Sequence, residues 1–215
     1  MSDDPLAHAA YVAPAAEAGD ELRSLPLDPQ VAACLSKWLS VATDAACTDT
    51  RLFAKLIAAR DAHNELALLG LQPREWHALL ARHFRQAAVP ALPLAVSINA
   101  NANEHANFIR TLHTLLLTHT STTVHADDAR CMATIIAHAC LRPDHLWRDL
   151  GLAGRDEVTW MLTRYFPTLV ALNVANLRWK KFLAAQRALS LGLQPGPAPG
   201  CPGCEDYGHC FARHS

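Results

Sequence analysis

Leu52–Phe84 reads LFAKLIAARDAHNELALLGLQPREWHALLARHF, and Cys131–Phe166 reads CMATIIAHACLRPDHLWRDLGLAGRDEVTWMLTRYF. In both stretches apolar residues return at steps of three and four, the spacing that turns one face of a helix toward a core. Laid over each other, Phe53, Ala54, Leu56, Ile57 and Ala58 meet Met132, Ala133, Ile135, Ile136 and Ala137. The LGL of Leu69–Leu71 meets that of Leu150–Leu152, and ARHF meets TRYF, with small gaps in the loops. Each copy reads as helix, glycine-containing turn, helix. Any two amphipathic hairpins align to some degree, but this register points to a duplicated helical hairpin packed as a pseudo-symmetric bundle.

The flanking sequence extends the pattern. Val31, Leu35, Trp38, Leu39 and Ala42 step as one buried face, and further helices are predicted over 51–69, 73–88, 102–118, 126–141, 155–166 and 167–191. Pro73 and Pro167 stand where a first-turn proline is tolerated, because its missing N–H would have no helical partner. In the last of these helices Leu169, Leu172, Asn176, Trp179 and Leu183 are expected on the core face. Alternating runs bounded by turn residues are scarce. The fold class is all-α, a helical bundle.

At 215 residues, with 51% hydrophobic and 18% charged residues, the chain can bury a substantial core. A formal net charge of −1 speaks against a general nucleic-acid binder. Residues 1–27 are rich in Ala, Pro and acids and are expected to form a mobile leader, without the basic start and apolar run of an export signal. The apolar stretch AAVPALPLAVSI is too short to span a bilayer and is broken by prolines. These features predict a cytoplasmic protein without a membrane role. The helical domain is expected over 28–191, and 192–215 as linker and cysteine-rich tail.

That tail ends in GCPGCEDYGHCFARHS, Gly200–Ser215. Cys201 and Cys204 form a C-x2-C pair whose Pro-Gly favours a tight turn, and Cys210 follows after five residues. In a reducing compartment a close thiol cluster points to metal sooner than to disulfides. Thiolates select zinc, cuprous copper or iron–sulfur clusters. A closed zinc site needs four ligands, for which His214 is a better fourth candidate than His209. An iron–sulfur cluster is normally held by four thiolates. Spacing leaves zinc and iron–sulfur open. The breaker-rich QPGPAPG before the tail predicts that it is tethered to the bundle but held apart from it. Arg178, Lys180 and Lys181 form a basic cluster, read either as a solvated face or as an attractor of anions. Cys34 and Cys47 read as inert packed thiols. Cys131, His138 and Cys140 share one predicted helix and are weaker candidates for a site between helices. His145 reads as a capping or packing residue. No phosphate loop, nucleophile elbow or HExxH is present, so no catalytic constellation is named.

HLWRDLGLAGRDEVTWMLTRYFPTLVALNVANLRWKKFL, followed by APGCPGCEDYGHCF, resembles the NifQ family of nitrogen-fixation proteins, most strongly over 135–211. The resemblance implies an iron–sulfur molybdoprotein that supplies molybdenum to assembly of the nitrogenase iron–molybdenum cofactor. It implies no turnover chemistry, and partners among cofactor-assembly proteins and molybdate or another molybdenum source. The family's metal motif, C-x4-C-x2-C-x5-C, matches Cys201, Cys204 and Cys210 at its last three positions. Its first position falls on Gly196, which cannot ligate through a side chain. The cysteine that the family tends to carry shortly after WKKF is also lacking. Either three thiolates suffice, leaving a corner open for molybdenum, or the site is weakened. The alternative from another class is a helical interaction module with a structural zinc tail.

Overall fold

A computed structural model describes residues 28–85 and 104–211. The expected leader, the AAVPALPLAVSI stretch and His214 lie outside the described residues. Ten α-helices run through the described residues, which contain no β-strand: α1 (Pro29–Ser40), α2 (Thr48–Asp61), α3 (Pro73–His83), α4 (Ala106–Thr118), α5 (Ala126–Ala139), α6 (Leu146–Asp149), α7 (Arg155–Tyr165), α8 (Pro167–Val170), α9 (Trp179–Ser190) and α10 (Tyr207–Cys210). The all-α expectation holds. None of the described helices is long and apolar enough to cross a membrane.

Local chemistry accounts for the starts. Asp28 accepts from the Gln30 amide at 2.7 Å with Pro29 in the first turn of α1. Glu75 reaches back to the Gln72 amide at 2.8 Å and closes the start of α3. The predicted helix 51–69 breaks after Asp61 and resumes as a 3-10 turn, Leu66–Leu69. The predicted helix 167–191 also breaks, after α8. Asn173 bonds the Leu177 amide and carbonyl at 2.9 and 3.0 Å, and Asn176 takes a φ of +50°. Asparagine side chains compete for backbone groups in this way and tolerate the left-handed region. Consequently Leu169, Trp179 and Leu183 are buried as expected, whereas Leu172 and Asn176 face solvent.

The two aligned copies make reciprocal contacts. In the sequence register, Asp49 corresponds to Asp128, Arg82 to Arg164 and His83 to Tyr165. Arg82 Nε donates to Asp128 at 2.7 Å and His83 Nε2 lies 3.1 Å from the same oxygen. In the mirrored contact, Arg164 pairs with both oxygens of Asp49, and the Tyr165 hydroxyl donates to it at 2.9 Å. Glu75 accepts from Thr134, while its counterpart Glu157 pairs with Lys55, the position equivalent to Thr134. A contact set in which i touches j and the equivalent of j touches the equivalent of i is that of a self-complementary, two-fold interface, here formed within one chain. The reciprocity extends the repeat by a helix, because α1 packs along α2 as α4 packs along α5.

The turn glycines carry the same signature. Gly70 and Gly151 have φ of +73° and +68°, each closing its LGL turn. A Cβ on Gly70 would stand 2.1 Å from His138, and one on Gly151 would stand 2.1 Å from the Ala59 Cβ, the position equivalent to His138. Each turn therefore seats on the other copy's first helix with no room for a side chain. Between the copies lies the core, with Phe53, Ile57, Leu79, Phe84, Met132, Ile136, Met161 and Phe166 fully enclosed.

Gly151→Ala should combine left-handed strain with a clash against the Ala59 Cβ and cost about 2–4 kcal/mol, read as a fall in urea midpoint at unchanged slope. The Asp49 carboxyl is held below its ordinary range chiefly by the Arg164 hydrogen bond; burial alone would raise that of Asp128, but its bonds to His83 and Arg82 outweigh it. Carboxyls depressed in the folded state add stability above their unfolded pKa and lose it as pH falls through the folded value. Stability should therefore drop steeply below about pH 4, and Asp49→Asn should flatten that drop.

Candidate metal and anion site

α9 and the tail close over one end of the bundle, against the turn of the second copy. The expectation that the tail stands apart is not met. Ala198 and Cys201 are buried at 1% and 6% exposure, and the Gly200 amide donates to the Cys140 carbonyl at 3.0 Å. Glycine makes this approach feasible: a Cβ on Gly200 would lie 2.0 Å from the Arg142 carbonyl oxygen, and one on Gly203 would lie 2.4 Å from Pro143. The prolines and glycines of the linker stop the helix, and those after it let the chain fold back onto the body.

Between tail and body lies a cavity of about 370 Å³. Cys201, Cys204 and Cys210 all line it, brought together by the 3-10 turn Cys201–Gly203 and by α10. Trp147, Arg148, Arg155, Arg178, Lys180 and Lys181 line it as well. The three thiols thus share one chamber with the basic cluster, a juxtaposition across some twenty residues of chain that spacing could not reveal. Among the described residues, no three His, Cys, Asp or Glu side chains converge as they would around a metal ion. Burial pushes the Cys201 thiol above its ordinary pKa.

The basic cluster divides in three. Lys180 is buried and pairs with Asp149, and its ammonium also donates to the carbonyls of Arg142, at 2.7 Å, and Asp144. Its neighbour Arg142 donates to the Asp149 carboxylate at 3.3 Å and to the Leu68 carbonyl at 3.2 Å. Arg60 donates to the Asp149 carbonyl at 2.6 Å. Lys180 is therefore a structural cation and not part of a solvated face. Lys181 bonds the Cys210 carbonyl and sits 4.9 Å from the Phe211 ring centre. Arg178 pairs with Asp206 between Cys204 and Cys210.

Among the described residues neither Arg155 nor Lys181 meets a carboxylate; Arg155 is spent on Asn176 and the Leu177 carbonyl. Of the five cations that line the chamber, Lys180, Arg178 and Arg148 are paired with Asp149, Asp206 and Glu205, and Arg148 also with Asp144, which leaves Arg155 and Lys181 without a carboxylate. Such a lining compensates thiolates and attracts anions.

Of the remaining described candidates, His145 lines the chamber and the others fall elsewhere. His145 occupies the N-cap position of α6 without a capping bond; its ring stacks on Trp147 and faces Asp206 at 3.1 Å. His138 Nδ1 bonds the Thr134 carbonyl at 2.9 Å, remote in role from the chamber. Burial pushes Cys131 and Cys140 up to about 12, so both are inert thiols. Cys34 and Cys47 are half-buried. Asp149, Arg142 and Trp147 were not singled out from the sequence. Their only signal was their place inside HLWRDLGL and just before it.

Comparison with known proteins places these features in a family context. A NifQ family model matches residues 52–212. A NifQ homolog of Sinorhizobium fredii is 46% identical over 79 residues, 37% of this chain and 34% of the relative. Protein NifQ of Azotobacter vinelandii is 45% identical over 80 residues, 37% of this chain and 41% of the relative. Protein NifQ of Klebsiella pneumoniae is 36% identical over 154 residues, covering 66% of this chain and 85% of the relative. The chain thus matches about a third to two-fifths of the length of the first two relatives and most of the third. No solved structure matches.

Removing one partner of a buried ion pair leaves the other uncompensated. Lys180→Met should cost about 3–5 kcal/mol in urea unfolding, and adding Asp149→Leu should deepen the loss, because it also strands the Arg142 guanidinium that shares this carboxylate.

Proposed function

Because the chain belongs to the NifQ family, we propose that it holds molybdenum at an iron–sulfur cluster and donates it for assembly of the nitrogenase iron–molybdenum cofactor. Family membership supports the role in cofactor assembly and molybdenum handling. The observation that carries the finer reading is the chamber that three thiols share with the basic cluster. Cys201, Cys204 and Cys210 would hold the cluster, with 192–215 acting as the metal-bearing tail. The donor set fits in type: soft thiolates suit iron–sulfur chemistry, and Arg155 and Lys181, which meet no carboxylate among the described residues, would offset part of their charge. When bound, the cluster would supply the iron and sulfide through which molybdenum could be carried. The protein itself contributes charge compensation, enclosure between tail and bundle, and access for the acceptor.

Metal binding would require the thiolates and release their protons, and because no such ligand group converges among the described residues, the three sulfurs would have to draw together on loading. Three protein thiolates suit a carrier better than four, because a cargo held on an incompletely anchored cluster is easier to release. Gly196 is open on this point: a Cβ there would meet nothing within 4 Å, so a fourth thiol fits without strain. Partners on this reading are cofactor-assembly proteins and a molybdenum source.

The test is anaerobic purification with metal analysis and visible absorption. Iron with molybdenum and broad absorption is expected, and Cys204→Ala should lose most of the iron. Stoichiometric zinc in a colourless protein would replace this reading with a zinc-stabilised interaction module. Gly196→Cys should change bound iron little; a large gain would show that the three-thiolate site is a weakened one.

A further inference from the structure

His145, Arg148 and Arg178 come from the N-cap of α6, from α6 itself and from the residue before α9, and all three line the chamber. They meet at the carboxylates of Glu205 and Asp206, in the loop between Cys204 and Cys210. Arg148 donates to Glu205 at 2.9 Å, Arg178 pairs with Asp206, and His145 Nε2 lies 3.1 Å from Asp206 and 3.5 Å from Glu205.

Three groups from two segments, the start of α6 and the residue before α9, gathered at two adjacent carboxylates constitute an anion site already filled by the chain's own anions. We propose that His145, Arg148 and Arg178 form a docking cradle for a tetrahedral oxyanion dianion, molybdate being the relevant member. The dianion takes the place of the Glu205 and Asp206 carboxylates and frees the loop that carries Cys204 and Cys210. This rests on the molybdenum-handling reading for its purpose, though the binding itself needs no cluster.

Charge supports the exchange, since one dianion replaces two monoanions. Exposure supports it as well. The Glu205 and Asp206 side chains are 62% and 35% exposed, so their pairs are weak and exchangeable, whereas Lys180 and Asp149, at 7% each, are locked. The chamber beside the cradle provides room for the incoming ion. Arg148 lies 4.9 Å from the Trp147 ring centre and Trp147 stacks on His145, so two of the donors are held in place by a shared aromatic. Guanidinium groups also present paired donors to oxyanion edges in a way an ammonium does not.

Calorimetric titration of the metal-free full chain with molybdate, tungstate and sulfate tests the cradle. Arg178→Gln should weaken binding about tenfold or more, with Arg178→Lys in between. The exposed double variant Glu205→Gln/Asp206→Asn should tighten binding about three- to tenfold by removing the internal competitor. All three anions should rank the variants alike. In the wild-type chain, saturating molybdate should speed alkylation of Cys204 and Cys210, resolved by peptide mass spectrometry. Unchanged or weaker binding by the double variant, no loss with Arg178→Gln, a different ranking among the anions, or unaltered alkylation at saturation would each overturn the proposal. Iron content of the purified holoprotein separately tests the cluster, so the two readings fail independently.

Discussion

Asp149 is the anionic point on which the candidate site is built. Its carboxylate receives Lys180 from α9 and Arg142 from the end of the second copy's first helix, and its carbonyl receives Arg60 from the first copy. Arg142 also reaches Leu68, in the first copy's turn. One buried carboxylate thus joins both repeats to the C-terminal helix. Burying so many charges carries a desolvation cost that close, multiple bonds must offset. The return is positional: the Arg142 carbonyl that accepts from Lys180 is the same group against which Gly200 packs. The tail's place is set by the hub.

The duplicated hairpin explains why such a hub has a rigid base. Reciprocal Arg–Asp clamps and mutually seated glycine turns bind the two copies face to face, and the core between them is apolar. Among the described residues, symmetry ends where α8, α9 and the tail are added, because these have no described counterpart after the first copy. The chamber forms at that break, over the second copy's turn, where HLWRD supplies His145, Trp147, Arg148 and Asp149. A symmetric pair of hairpins is well suited to stability, and the unpaired addition provides a place for a site.

Much of the fold was legible in the residues. Periodicity located the long helices, and the aligned apolar positions of the copies share the same burial, Phe53 with Met132 and Phe84 with Phe166. Boundaries were less legible. The helix expected over 167–191 breaks because Asn173 and Asn176 offer the backbone local alternatives, a competition that apolar spacing does not register. At the site, the three cysteines and the basic cluster were visible as types. Their division of labour was not. Lys180 and Lys181 are adjacent, yet one is buried in an ion pair and the other bonds the tail, because neighbouring residues on a helix point in directions about 100° apart.

What the sequence determined by itself is therefore local: helical class, the repeat, the clustering of Cys201, Cys204 and Cys210 in one short segment, and the family resemblance that the matched relatives support. Tertiary structure decided what those thiols face. A breaker-rich linker states only that the helix ends, and it is equally consistent with a free tail and a docked one. Docking depends on Gly200 and Gly203 meeting Arg142 and Pro143, and on Lys181 and Arg178 reaching the Cys210 carbonyl and Asp206. These contacts join residues some twenty-five to sixty positions apart, beyond the reach of any periodicity. Only the packed chain could show that its thiols and its cations enclose one chamber.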